Sequence, residues 1–259
     1  MQDRPLQDRI CVVTGAASGI GRATARMMAE AGGHIIAADF DSVGLEALAA
    51  ELGNKVRAVT VNMASRDDVE RLADVAAEMG GPDVWVNAAG IVAAPTPVAQ
   101  VDEATLDRVL AVNLKGVYFG CAAAARLMGE RGRGAIVNLS SQGADTPAPG
   151  LSCYAMSKAA VNALTRGLAV ELGPVGVRVN AVAPGFIDTP MVRYRFTDEA
   201  GCEVPDLKQA LFEARAAGAA LGRIGQPEDI ARTILFLASD ASSYITGETL
   251  RANGGADMR

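Results

Sequence analysis

Short apolar runs alternate with longer amphipathic stretches along nearly the whole chain. The short runs predict β-strands at about residues 10–15, 34–39, 56–61, 83–90, 134–141 and 177–185. Between them, apolar residues recur every three or four positions, a spacing that predicts helices. The clearest helices are expected at about 20–31, at 103–130 and in the segment that begins near Tyr154. Near the C-terminus, PEDIARTILFLAS predicts another helix and GETLRA a final edge strand.

The predicted strands are almost continuously apolar, which is typical of a parallel sheet with helices on both faces. The pattern therefore predicts an α/β fold with a doubly wound parallel sheet of the Rossmann type. The 259 residues contain no linker, repeat or low-complexity tract, and this length can form one large α/β domain. We expect a single domain over residues 1–259.

Polar or glycine-rich residues follow the predicted strands. These strand ends read TGAASGIG at 14–21, Asp39, Asn62-Met63, NAAG at 87–90, Ser140-Ser141 and Pro184-Gly185. Core packing alone would not require such residues there. Because ligands of open α/β sheets bind beyond the carboxyl ends of the strands, we expect the functional site at this edge.

Charge and cysteine content narrow the classes of ligand. The chain has 24 Lys and Arg against 30 Asp and Glu, a net charge of −6, which argues against a nucleic-acid partner and gives no reason to expect a membrane. The charged N-terminus does not resemble a signal peptide, and no apolar run is long enough for a membrane span. Four widely spaced cysteines without a CxxC pair predict no metal site and fit a reducing cytoplasm.

The segment TGAASGIG follows an apolar strand and opens a helix, the context in which a glycine pattern indicates a dinucleotide site. Gly15, Gly19 and Gly21 would let the backbone approach a pyrophosphate at the helix N-terminus, beside Ser18 and Ile20. The alternative is a plain glycine-rich turn.

Asp39 ends the second strand, 24 residues after Gly15, where a carboxylate can accept hydrogen bonds from an adenosine ribose. A carboxylate there repels a 2′-phosphate, and neither Ser18 nor Phe40 supplies a cation to bind one. The residues therefore favour NAD, with NADP less favoured. The alternative is a solvated aspartate at a strand end.

Tyr154 and Lys158 are four positions apart and share one face of the predicted helix. A phenol titrates near ~10, and a nearby ammonium can lower its pKa by roughly 1–3, which makes tyrosine a usable acid and base. The alternative is an aromatic at a helix start beside a solvated lysine. The only histidine, His34, begins the second predicted strand, away from the carboxyl ends, and is expected to be structural.

Taken together, residues 8–256 resemble the short-chain dehydrogenase/reductases with a TGxxxGxG turn. Tyr154 and Lys158 match the family YxxxK pair, Ser141 lies 13 residues before the tyrosine, and Asn113 in LAVNLKG matches the tetrad asparagine. NAAG resembles the family NNAG motif. The resemblance implies four catalytic residues, Asn113, Ser141, Tyr154 and Lys158.

The same resemblance implies the cofactor-binding residues. They are Gly15, Ser18, Gly19, Ile20, Gly21, Asp39, Phe40, Asn62, Met63, Asn87, Ala88, Ala89, Gly90, Tyr154, Lys158, Pro184, Gly185, Ile187 and Thr189. Family members often have Asp where this chain has Asn62, whose carbonyl can still accept a hydrogen bond from adenine.

The implied function is an NAD-dependent oxidoreductase that interconverts a secondary alcohol and a ketone, acting on a small molecule. Alternatives are an NAD-dependent epimerase or dehydratase, and a non-catalytic nucleotide-sensing protein of the same fold. The family resemblance also implies a homotetramer, assembled through helices at about 103–130 and 154–172. We expect substrate contacts in the loop after Ser141 and in a mobile lid at about 189–222.

Overall fold

The computed structural model describes residues 4–198 and 200–258. Its strands are β1 (Ile10–Thr14), β2 (His34–Asp39), β3 (Val56–Thr60), β4 (Val84–Asn87), β5 (Gly134–Leu139), β6 (Val177–Pro184) and β7 (Thr249–Ala252). Its α-helices are α1 (Gly19–Glu30), α2 (Ser42–Leu52), α3 (Arg66–Glu78), α4 (Glu103–Leu110), α5 (Val117–Arg131), α6 (Ser152–Leu172), α7 (Pro205–Ala217) and α8 (Pro227–Ala238). In this part of the chain, no helix is both long enough and apolar enough to cross a membrane.

Within the described residues, all seven strands pair in parallel in the order β3-β2-β1-β4-β5-β6-β7. Strands β2 and β3 lie on one side of β1, and strands β4 to β7 lie on its other side, so the strand order reverses between β1 and β4. Such a switch point opens a crevice at the carboxyl ends of the strands. The predicted doubly wound parallel sheet is confirmed.

Alternate residues of each central strand belong to two separate apolar cores. Val13 packs into a core with α1, α2 and α8, whereas its neighbour Val12 packs into the core of α3, α5 and α6. Both side chains are fully buried. Helices on both faces explain why the central strands are apolar at successive positions. At the sheet edge β3 departs from that pattern, because Arg57, Ala58 and Thr60 are exposed there.

The long helix predicted at 103–130 is helical over 103–131 but not uniform. Residues Ala111–Gly116, between α4 and α5, form a π-helical segment. Insertions of this kind often occur at functional sites, because they redirect a side chain without ending the helix. Here the segment contains Asn113.

The segment predicted as a lid contains a short 3₁₀-helix, Pro190–Arg195, an isolated bridge between Thr197 and Glu203, and helix α7. The segment also contains packed aromatic side chains that the sequence did not predict. Phe196 is 1% exposed, and Phe212 of α7 packs edge-on against both Phe196 and Phe186. Packing among these three aromatic rings therefore holds helix α7 against the rest of the protein.

Candidate active site

A cavity of about 380 Å³ lies at the carboxyl ends of the strands, at the predicted edge. The charged side chains among its described lining residues are Asp39, Lys158 and Arg195. The cavity thus brings together positions separated by up to 180 residues in the chain.

The predicted catalytic and cofactor-binding residues number twenty-one in all, so nineteen of them line the cavity. The two that do not, Asn87 and Asn113, are buried beside it.

The glycine turn between β1 and α1 packs tightly against neighbouring backbone. Gly15 has a φ of 70°, and a Cβ there would lie 2.8 Å from the backbone of Ala89. A Cβ at Gly21 would collide with the carbonyl oxygen of Gly15. At the start of α1 the Ser18 side chain makes no capping hydrogen bond, and the first turn carries no acidic residue. This helix N-terminus fits a pyrophosphate.

Asp39 is held at the end of β2 by two backbone donors. Its Oδ2 accepts from Ala17 N at 3.0 Å, and its Oδ1 accepts from Asp41 N at 3.1 Å. Next to it the Phe40 ring is 77% exposed and lines the same end of the cavity. This end therefore presents a fixed carboxylate beside an open aromatic face.

Asn62 and Met63 line the cavity beyond β3. The Asn62 side-chain oxygen, expected to face an adenine amine, accepts a 3.0 Å hydrogen bond from Ala64 N. One of its two lone pairs is thus used by the backbone turn. Met63 is almost fully buried.

Asn87 lies in a buried polar network, not at the cavity surface. Its Oδ1 accepts from Trp85 Nε1 at 2.9 Å, and its Nδ2 donates to Asn138 Oδ1 at 2.9 Å. Asn138 in turn donates to Thr165 Oγ1 on α6 at 3.0 Å. The Asn87 side chain thus ties β4 to β5 and α6, and the predicted role of Asn87 in cofactor binding stays a prediction. The spacing of the NAAG motif could not reveal this orientation.

Tyr154, Ser141 and Lys158 meet at the centre of the cavity. The Tyr154 and Ser141 side chains are hydrogen-bonded, and Lys158 Nζ lies 5.9 Å from the Tyr154 ring centroid. Lys158 is 2% exposed and donates a 2.8 Å hydrogen bond to the Leu139 carbonyl. The i, i+4 pair thus shares a face of α6, as the spacing predicted.

Burial dominates the electrostatics of this pair. It raises the pKa of Tyr154, although the Ser141 hydrogen bond acts in the opposite direction. It also lowers the pKa of Lys158 to about 8. The sequence reasoning expected the ammonium to lower the tyrosine pKa, and that expectation is wrong for this structure because desolvation is the larger effect. Ser140, the neighbour of Ser141, donates to the Lys158 carbonyl instead.

Asn113 fixes the wall of the cavity from its π-helical segment. Its Oδ1 accepts from Ile91 N at 2.8 Å, and its Nδ2 donates to the Ile91 carbonyl at 2.9 Å. The same Nδ2 lies 3.2 Å from Ser157 Oγ on α6. Lys158 Nζ and Asn113 Oδ1 lie 3.3 and 3.4 Å from the position that a Cβ at Gly90 would take. Both polar atoms therefore border one small space beside Gly90.

The cofactor segment after β6 closes the cavity from the other side. Thr189 approaches the glycine turn, since its Cγ2 lies 3.3 Å from the position of a Cβ at Gly19. Gly185 packs against Asn253, whose Cα would lie 2.9 Å from a Cβ at Gly185. Pro184 and Ile187 complete this wall.

Much of the remaining lining comes from two loops that carry no motif. The loop after Ser141 contributes Gly143, Thr146, Ala148 and Leu151. The segment after β6 contributes Phe186, Pro190, Met191, Val192, Tyr194 and Arg195. Both regions were predicted to contact substrate, but these individual residues were not singled out. Only their position after strand ends could have signalled them.

Comparison with known proteins identifies the family. A family model described as enoyl-(acyl carrier protein) reductase matches residues 15–257. A 3-oxoacyl-[acyl-carrier-protein] reductase from Thermotoga maritima is 39% identical over 254 residues, covering 96% of this chain and 98% of the relative. The chain belongs to the short-chain dehydrogenase/reductases.

Two further members of the family extend this result. A cis-4-hydroxycyclohexanecarboxylate dehydrogenase from Sinomonas cyclohexanicum is 41% identical, covering 96% of each chain. The crystal structure of a short-chain dehydrogenase/reductase from Brucella melitensis superposes with a TM-score of 0.88 at 34% identity, covering 98% of this chain and 99% of that one.

As a short-chain dehydrogenase/reductase, the protein is an NAD(P)-dependent oxidoreductase acting on alcohol and ketone groups. The relatives do not favour the epimerase, dehydratase or non-catalytic alternatives. The choice between NAD and NADP, the homotetramer and the cytoplasmic location stay predictions.

Proposed function

We propose that the protein is an NAD-dependent dehydrogenase that interconverts a secondary alcohol and a ketone, with Tyr154 as the acid and base. One observation carries this proposal. The Tyr154 phenol, the Ser141 hydroxyl and the Lys158 ammonium converge on one cavity whose other end has the glycine turn of a dinucleotide site.

The glycine turn and the N-terminus of α1 would hold the pyrophosphate, and Asp39 the adenosine ribose. Asn62, Met63 and the backbone of Ala88, Ala89 and Gly90 would border the adenosine half. Pro184, Gly185, Ile187 and Thr189 would border the nicotinamide. When bound, the nicotinamide supplies or accepts the hydride of the reaction.

Tyr154 would exchange a proton with the substrate oxygen, donating from Oη in ketone reduction and accepting at Oη in alcohol oxidation. Ser141, hydrogen-bonded to Tyr154, would orient that oxygen. The Lys158 ammonium, 5.9 Å from the Tyr154 ring centroid, would favour the phenolate, whereas desolvation raises the tyrosine pKa. Asn113 and Lys158 border one space beside Gly90, which supports a water there as a route for the proton to solvent.

NAD is proposed over NADP because of the charges around the adenosine end. The Asp39 carboxylate would repel a 2′-phosphate. Among the described residues that line the cavity, the basic side chains are Lys158 and Arg195, and neither belongs to the adenosine end. Arg22, at the start of α1, is bound to Glu51 at 3.0 Å.

A substrate panel tests this function. The protein would be assayed with NAD and NADP against polyols, cyclic alcohols, hydroxy acids and hydroxyacyl thioesters, following NADH or NADPH fluorescence. Hydroxy acids and hydroxyacyl thioesters are included because two relatives are a hydroxycarboxylate dehydrogenase and a 3-oxoacyl-[acyl-carrier-protein] reductase. We expect oxidation of at least one secondary alcohol, with a kcat/KM for NAD at least tenfold above that for NADP. Nucleotide binding without turnover of any alcohol or ketone would contradict the proposal, and an epimerase would invert substrate without net NADH.

A further inference from the structure

Arg195 is the charged residue of the substrate end of the cavity. Its Nε donates to the Tyr194 hydroxyl at 3.1 Å, and its guanidinium carbon lies 5.3 Å from the Tyr194 ring centroid. No carboxylate among the described residues lies within ion-pair distance of it, although thirteen other ion pairs occur in that part of the chain. This half-buried cation therefore lines the cavity, and no carboxylate among the described residues neutralises it.

The surroundings of Arg195 are mostly apolar. The same cavity is lined by the apolar side chains of Val92, Ala148, Leu151, Phe186, Met191 and Val192. The acidic residue of the lining, Asp39, lies at the adenosine end. A ligand that fits here has a compact apolar body and can present one negative group to the guanidinium. A guanidinium can bind a carboxylate through two parallel hydrogen bonds, and partial burial strengthens that pairing because it lowers the local dielectric constant.

Tyr194 relates this cation to the reacting group. An ionised Tyr194 would raise the pKa of Tyr154, so the two phenols are close enough for their charges to interact. Arg195 is hydrogen-bonded to Tyr194. Tyr154 and Arg195 both line the cavity, so a single small molecule that fills it can contact Tyr154 with its carbinol oxygen and Arg195 with an anionic group.

We propose that the substrate is a compact hydroxy acid or its keto acid, whose carboxylate is bound by Arg195 while its hydroxyl or carbonyl oxygen lies at Tyr154. This proposal rests on the proposed dehydrogenase function. It makes Arg195 a specificity-determining residue. A sulfonate could form the same pair with a guanidinium, so the test includes one.

A binding experiment tests the anion site independently of catalysis. Cyclohexanecarboxylate, its neutral amide and cyclohexanesulfonate would be titrated calorimetrically into the protein, with and without NADH. We expect the carboxylate to bind roughly ten- to a hundredfold more tightly than the amide, the range for a hydrogen-bonded charged group. In Arg195→Gln the two should bind within about threefold, whereas Arg195→Lys should keep part of the preference.

Arg193→Gln is the matched control, because Arg193 is an exposed cation of the same 3₁₀-helix that does not line the cavity. It should retain the wild-type preference. If it loses the preference as Arg195→Gln does, surface charge causes the effect and the proposal is wrong. Equal binding of carboxylate and amide in the wild type would also overturn the proposal. A strong preference for the sulfonate would mean that Arg195 binds a sulfonate group and not a carboxylate.

Turnover distinguishes failure of this inference from failure of the function. Cis-4-hydroxycyclohexanecarboxylate and its methyl ester would be compared as substrates. Oxidation of both with equal kcat/KM would overturn the inference and leave the dehydrogenase function standing. If neither this pair nor the panel is oxidised or reduced, the dehydrogenase function fails, and the titrations still decide whether Arg195 binds the anion.

Discussion

The two ends of the cavity are built by different means. At the nucleotide end, the glycine turn and the N-terminus of α1 present backbone groups, and Asp39 is fixed by two backbone donors. At the substrate end, side chains from two loops form the wall, among them Leu151, Met191 and Arg195. The shape of the nucleotide end therefore depends on the path of the backbone, whereas the shape of the substrate end depends on which side chains project into the cavity.

This difference explains why one end could be predicted in detail and the other only by region. A tight turn packed against neighbouring backbone needs glycine at fixed positions, as the contacts at Gly15 and Gly21 illustrate. A wall of apolar side chains can be made by many residues at many spacings. A motif therefore marks the nucleotide end, whereas function at the substrate end depends on tertiary packing.

The largest effect is expected at the boundary between the two ends. Tyr154→Phe removes the proton donor but no group of the glycine turn, so turnover should fall by ~10²–10⁴-fold while NADH binding stays nearly unchanged. Steady-state kinetics and NADH fluorescence titration measure the two quantities. Tyr244→Phe is the control, because this exposed phenol does not line the cavity. Activity of Tyr154→Phe above about a hundredth of wild type would contradict the role of Tyr154.

Lys158 gives a pH-dependent prediction. Its pKa is about 8 in the folded protein against an ordinary 10.5, so between these values the unfolded chain holds a proton that the folded protein lacks. The free energy of unfolding contributed by this group therefore rises with pH. From pH 7 to 9.5 the difference between wild type and Lys158→Met should grow in favour of wild type by about 2 kcal/mol.

Urea denaturation at the two pH values measures this difference. Lys115→Met is the matched control, since Lys115 is exposed and should show no comparable change. A wild-type advantage that does not vary with pH would mean that burial leaves the Lys158 pKa near its ordinary value.

A smaller effect is expected for the nucleotide end alone. Asp39→Asn removes the negative charge but keeps an oxygen for the Ala17 N–H, so the backbone should hold. The preference for NAD over NADP should narrow by about tenfold, or ~1.4 kcal/mol. The ratio of kcat/KM for the two nucleotides measures it. Asp41→Asn, at the exposed N-cap of α2, should leave the ratio unchanged; an unchanged ratio in Asp39→Asn would refute the charge argument.

The smallest effect concerns the substrate end, where we propose that residues 189–222 act as a lid. Lys208 is paired with Glu203 at 2.8 Å, so trypsin should cut first at Arg193 or Arg195. NADH with a substrate analogue should slow those cuts a few-fold, because lid closure shields them. Gel analysis with peptide mapping follows the sites.

Phe212→Ala, which removes the aromatic anchor of α7, should speed the same cuts, whereas Leu207→Ala, at an exposed position of α7, should not. First cuts elsewhere, or rates that ligands do not change, would show that the segment is packed structure.

Much of the fold could be predicted because its signals are local. Apolar runs such as that of β1 mark buried strands, and the i, i+4 spacing placed Tyr154 and Lys158 on one helical face. The π-helical segment at Asn113 was not predicted, since its helix reads as uniform in sequence. The orientation of the Asn87 side chain was not predicted either, because a strand-end amide can face either a ligand or a neighbouring strand.

The sequence by itself determined the sheet, the glycine turn, the carboxylate at Asp39 and the Tyr154–Lys158 pair, because each follows from residue type at short spacing. Tertiary structure decided what those groups experience. Burial, which depends on packing from distant segments, raises the pKa of Tyr154 and lowers that of Lys158. Folding also brings Arg195 to the cavity that contains Tyr154, 41 residues away in the chain. Only the folded chain decides which loops lie beside which strand ends.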